Sequence, residues 1–108
     1  MDITANELTK WAKDTLTKRG YFVVRINNTP VKGRKGIITK GVPDLLGCTK
    51  HGVLAGVEVK KIGDKLSQDQ IDLMTYLDAL GCEMLICTEV ENKPSLIKFT
   101  DYVITKKK

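Results

Sequence analysis

Two short apolar runs, Leu45-Leu46-Gly47-Cys48-Thr49 and Val53-Leu54-Ala55-Gly56-Val57, flank Lys50-His51-Gly52, and no other stretch constrains the fold as much. Runs this short, joined by three residues that end in glycine, read as a β-hairpin with the glycine at the left-handed position of the loop. A three-residue loop sets Thr49 opposite Val53, and counting back along both strands sets Asp44 opposite Glu58. Side chains alternate faces with period two. Asp44, Glu58 and Lys60 therefore share one face, and Leu45, Val53, Ala55, Val57 and Val59 share the other. A two-residue loop would divide the carboxylates between the faces. Directly opposed Cβ atoms lie roughly 4.5–5.5 Å apart, close enough for the pair to hold one cation between them.

Like charges at that separation repel and push one pKa up, so the pair costs stability unless a cation or Lys60 offsets it. Oxygen donors with no histidine or cysteine beside them favour a hard ion, Mg²⁺ or Mn²⁺, over zinc. Such an ion polarises a phosphoryl oxygen and activates water, and an ammonium at Lys60 can orient that water or offset charge growing on the phosphate. The expectation is a metal-dependent nuclease. A plainer reading makes Asp44 a turn residue after Pro43 and leaves Glu58 and Lys60 on a solvated edge. The position of Glu58 inside Val57-Glu58-Val59, at the end of an apolar strand, argues against that reading.

The charge balance agrees. A chain of 108 residues that is 42% hydrophobic suits one domain spanning 1–108, and its formal charge of +5 favours an anionic partner, most simply nucleic acid. Part of that charge is the terminal Lys106-Lys107-Lys108, expected as a frayed basic tail. Lys32, Arg34, Lys35 and Lys40 punctuate a glycine-containing loop that leads into Asp44. The loop suits a wrap around a phosphate backbone, and it suits a surface excursion as well. Cys48, Cys82 and Cys87 form no Cys-x-x-Cys pair and read as reduced, mostly buried residues of a cytoplasmic protein that is not secreted. No apolar stretch approaches a membrane span, and Met1-Asp2-Ile3-Thr4 is not a secretory signal. His51, the only histidine, falls at the hairpin tip, as a turn residue would.

Thr4 and Glu7 have the spacing of a capping box, and Leu8, Trp11, Ala12 and Leu16 form an apolar stripe ending near Gly20: a first helix. Tyr21 to Asn27 is strand-like, with Phe22, Val24 and Ile26 alternating, and Asn28 to Gly41 is the basic loop. After the hairpin, Ser67 and Gln70 repeat the capping spacing. They open a helix with Ile71, Met74, Leu77 and Leu80 on its apolar face, with Leu73 and Tyr76 beside them, that closes at Gly81. Tyr76 is expected in the core. Glu83 to Thr88 is a buried strand, parallel to the strand ending at Lys60 because a helix connects them. Leu96, Phe99 and Val103 suggest a short final helix. The fold class expected is α/β, a mixed central sheet in the order α-β-β-β-α-β flanked by helices.

The arrangement resembles the PD-(D/E)xK nuclease fold, also called restriction-endonuclease-like. More narrowly, Gly41-Val42-Pro43-Asp44-Leu45, Glu58-Val59-Lys60 and Leu66-Ser67-Gln68-Asp69-Gln70 are similar to motifs of the VRR-NUC (virus-type replication-repair nuclease) family, in a minimal stand-alone form. The resemblance implies metal binding by Asp44, Glu58 and the backbone carbonyl of Val59, with Lys60 as the catalytic lysine. It implies roles near the site for Glu7 and Gln70, whose capping positions explain them equally. It also implies 5′-phosphate and 3′-hydroxyl products, no small-molecule cofactor, and a homodimer acting on branched or structured DNA in replication or repair, as Holliday-junction resolvases do. Two rival expectations stand beside it: a non-catalytic basic DNA-binding module, and a nuclease of the same fold that cuts plain duplex DNA.

Overall fold

Thr4 opens the first helix as its spacing predicts: its hydroxyl accepts from Glu7 N–H and its N–H donates to the Glu7 carboxylate, each at 3.1 Å. These bonds satisfy two of the donors that a helix start leaves unpaired. In the computed structural model, which describes residues 3–26 and 40–106, α1 runs Ala5–Lys18 and α2 runs Gln68–Ala79. At α2 the Ser67 hydroxyl accepts from Gln70 N–H at 3.1 Å, and Ser67 N–H donates to the Gln70 side chain at 2.8 Å.

Among the described residues five strands form one sheet in chain order: β1 (Phe22–Arg25), β2 (Leu45–Cys48), β3 (Leu54–Val59), β4 (Glu83–Val90) and β5 (Lys93–Lys98). The β3–β4 pair, joined through α2, is parallel, and the other neighbours are antiparallel. The hairpin has the expected register, with Leu45 across from Val57 and Cys48 across from Leu54. Thr49 N–H donates to Val53 O at 2.8 Å, and Gly52 takes the left-handed backbone the loop needs, at φ 82°.

Period two then sorts the core into two layers. Leu45, Val57, Leu85, Cys87 and Val23 bury against Leu8, Ala12 and Leu16 of α1. On the opposite face Met84 and Ile86 meet Met74 of α2 and Phe99 and Tyr102 of α3 (Phe99–Lys106). Side chains such as Leu8, Leu16, Leu45 and Met74 are fully buried, each contributing about 1.5–3 kcal/mol. α1 packs across β1, β3, β4 and β5, whereas α2 packs over β4 and α3 over β4 and β5.

Four expectations are corrected. The strand expected over Tyr21–Asn27 is described as Phe22–Arg25, and its buried residue is Val23; Phe22 is 66% and Val24 40% exposed. Alternation alone does not say which face a layer covers. Tyr76, expected in the core, is 62% exposed, because Met74 is the residue α2 turns directly onto the sheet. β4 continues to Val90 and turns into β5 through Glu91 and Asn92, both at positive φ, a hairpin not expected from the sequence. Leu96 consequently lies in β5, and the last helix begins at Phe99. Pro94 masked this strand, but β5 is the outermost strand, where a missing N–H is tolerated.

Candidate functional site

Continuing the hairpin register one step beyond Leu45 and Val57 brings Asp44 across from Glu58 at the open end of the pair. Asp44 is held from two sides. Its carbonyl accepts from Ile26 N–H at 2.8 Å, and its Oδ2 accepts from Val59 N–H at 2.8 Å. The next rung would pair Pro43 with Val59, and proline has no N–H to give. The Asp44 carboxylate takes the Val59 N–H, and the ladder offers the Val59 carbonyl no donor.

The approach to Asp44 is built as closely. Gly41 sits at φ 87°, and a Cβ there would collide with the Asp69 carbonyl, so only glycine lets this segment dock on the first turn of α2. Pro43 is buried over Gly56, where a Cβ would lie 2.9 Å from Pro43 Cγ. Neither glycine was singled out for the site from sequence; the signal available was the order Gly-x-Pro-Asp itself.

Glu58 is 3% exposed, and its Oε2 is buried with no hydrogen-bond partner. Burial raises its pKa most, the hydrogen bond and charge of Asp44 raise it further, and Lys60 and the Val59 N–H oppose them, leaving it at about 9. The acid pair therefore holds a proton at neutral pH when nothing else neutralises it. Lys60 is half-buried, its N–H donating to Cys87 O at 2.9 Å, which fixes the end of β3 to β4. An orphaned carboxylate oxygen, a second carboxylate beside it and a backbone carbonyl without a ladder donor are hard donors that fit Mg²⁺ or Mn²⁺. Among the described residues no group of three or more His, Cys, Asp or Glu gathers to hold a metal.

The other expected site residues are placed differently. Glu7 is exposed on the helix packed against the opposite face, and the Thr4 N–H and hydroxyl hold its carboxyl below the usual range, with Lys61 adding to this. The Gln70 side-chain oxygen is taken by Ser67 N–H, although Gly41 docks beside it. The structure thus brings Asp44, Glu58, Lys60 and the Val59 backbone together and engages Glu7 and Gln70 in caps. Lys32, Arg34 and Lys35 lie outside the described residues, as do Lys107 and Lys108, while Lys40 is exposed. His51 is exposed at the hairpin tip. Cys87 is buried, and Cys48 and Cys82 are half-buried. Among the described residues no helix is long and apolar enough to cross a membrane.

Comparison with known proteins adds three findings. A family model described as the VRR-NUC domain matches residues 31–91. The fold is similar to that of Hjc from Archaeoglobus fulgidus, described as a Holliday junction resolvase from an archaeal hyperthermophile. The TM-score is 0.55 at 19% identity, over 84% of this chain and 75% of that one. It is similar also to a solved VRR_NUC domain, with a TM-score of 0.55 at 23% identity over 95% of this chain and 97% of that one. A search of curated proteins gives no match. The two structural likenesses identify the mixed sheet and its helices as the PD-(D/E)xK nuclease fold.

Proposed function

Because this chain belongs to the VRR-NUC domain family, a family of nucleases, we propose that it is a Mg²⁺- or Mn²⁺-dependent DNA endonuclease. In this reading it acts as a homodimer on branched or structured DNA during replication or repair. The observation that carries the reading is the buried Glu58 oxygen without a partner, set beside Asp44 and within the field of Lys60. A structural carboxylate would be expected to have its hydrogen bonds made. The resolvase activity named for the Hjc structure supports a branched target.

Asp44, Glu58 and the Val59 carbonyl would hold the cation, which supplies Lewis-acid polarisation of the phosphate and of the attacking water. The chain's own residues do the rest. Val59 N–H orients the Asp44 carboxylate through its 2.8 Å bond and holds it beside Glu58. Lys60 offsets the negative charge that grows on the phosphoryl oxygens as the P–O bond breaks. The basic sequence segment with Lys32, Arg34, Lys35 and Lys40 would supply contacts to backbone phosphates. Glu7 and Gln70 lie at helix starts near this end of the sheet and serve the site by keeping those starts in place.

The test is a panel of labelled substrates, four-way junction, splayed arm, duplex and single strand, incubated in Mg²⁺, Mn²⁺ or EDTA. Wild type is expected to cut the junction in preference to the duplex. EDTA abolishes cutting, and Lys60→Ala lowers it at least about a hundred-fold. Binding without cleavage in either metal would make the chain a DNA-binding module, and site-specific cutting of plain duplex would make it a restriction-type enzyme.

A further inference from the structure

Past Lys60 the chain leaves the sheet through a tight turn, Lys61-Ile62-Gly63-Asp64, that is tied at both ends. Asp64 N–H donates to Lys61 O at 3.0 Å, and Lys61 N–H donates to Asp64 Oδ2 at 3.1 Å. Gly63, at φ 92°, supplies the positive φ that a type II turn needs at its third residue. Ile62 stands at the tip of this turn and is 68% exposed. Two residues of chain put it within about 7 Å of the proposed catalytic lysine.

Beside Ile62 lies a hollow of about 180 Å³. Ile62 forms one wall, Thr88 of β4 and Ile97 of β5 another, and Tyr102 and Thr105 of α3 a third. The β3–β4 register, carried one step beyond Val59 and Cys87, sets Thr88 beside Lys60, and paired strands lie about 4.8 Å apart. The hollow therefore opens one strand away from the lysine, on the face that carries Glu58 and Ile86. No lysine or arginine lines it, and the charge at its edge is the carboxylate of Glu89, so it repels a phosphate but not an uncharged ring. Pockets for drug-sized ligands start at roughly 300 Å³, which leaves this one the scale of a single nucleobase.

We infer that Ile62 is a specificity-determining wedge: it enters the base stack beside the scissile phosphate, and the hollow behind it receives the base so displaced. Apolar side chains inserted between base steps unstack them, and an isoleucine on a closed turn is already held in place for this. Displacement costs least where a base is mismatched or unpaired, so the wedge selects DNA whose pairing is interrupted at that step. The inference deepens the nuclease reading above and rests on it.

The experiment places 2-aminopurine at each position in turn around the branch of a four-way junction. Its fluorescence is read with the whole chain bound in Ca²⁺, and cleavage of the same DNA is assayed in Mg²⁺ and Mn²⁺. Wild type is expected to brighten the probe at least about threefold at one step and to cut beside it. Ile62→Ala, which removes the wedge, and Thr105→Phe, which fills the hollow from an exposed position at its rim, abolish the rise while circular dichroism stays unchanged. Ile62→Ala also cuts the paired junction about ten-fold more slowly, and a mismatch placed at that step restores the rate. Ile62→Leu behaves as wild type. A junction that binds wild type without brightening at any position, or a rise that survives in either variant, overturns the inference even where cutting proceeds as proposed. A rise that both variants lose upholds the wedge; if wild type then cuts nothing in either metal, only the nuclease reading fails. Protein that binds no DNA overturns both.

Discussion

Glu58 sets the terms at the scale of single residues. Its carboxyl is raised from an ordinary 4.5 to about 9, so the folded protein keeps a proton that the unfolded chain gives up. Its contribution to stability is full below about pH 4.5 and is lost as pH rises toward 9. Replacement by the neutral, nearly isosteric amide removes this dependence. Glu58→Gln is expected to melt a few degrees above wild type at pH 8 in EDTA, and at the same temperature as wild type near pH 4. Mg²⁺ should raise the melting point of wild type and not of the variant. A variant that melts below wild type at pH 8 would mean that the carboxylate is satisfied as an anion. Much of this was legible in the sequence, because loop length sets register and register puts Asp44, Glu58 and Lys60 on one face. The orphaned Oε2 was not legible, since it depends on how the assembled sheet and helices bury Glu58.

Among the elements, local signals fared according to whether their physics is local. Both capping boxes formed where their spacing predicts, since a cap needs only four consecutive residues. The β4–β5 hairpin escaped because its turn is Glu91-Asn92, with φ values of 52° and 65°, rather than the asparagine–glycine pair that marks such turns. A glutamate with positive φ is strained by about 1–2 kcal/mol. Replacing the pair, Glu91→Asn with Asn92→Gly, should therefore stabilise the protein by about 1 kcal/mol. A higher urea midpoint with an unchanged slope would register it, and an unmoved midpoint would mean that strain is relieved elsewhere in the turn. The exposure of Phe22, Val24 and Tyr76 was illegible for a different reason. A pattern reports that a strand or helix has an apolar side, and only the assembled layers decide whether anything covers it.

At the scale of the molecule, charge and shape divide the work. With a net charge of +5, the DNA binding proposed above would be salt-dependent whatever the target. If the basic segment before Asp44 binds phosphates, replacing Lys32, Arg34, Lys35 and Lys40 by alanine should weaken binding to every DNA alike. It should also flatten the slope of log affinity against log salt by about 0.9 for each phosphate no longer neutralised. Fluorescence anisotropy across a salt series reads this directly, and an unaltered slope would remove the loop from the interface.

Pro43 carries a consequence for how such a chain can change. Any residue with an amide hydrogen there would let β2 and β3 zip one step further and occupy the Val59 carbonyl, giving a sturdier hairpin and, in the proposed nuclease, a poorer grip on its cation. Position 43 is thus a place where selection for rigidity and selection for turnover pull apart. A lineage that kept the fold but abandoned the chemistry would be free to let the proline go.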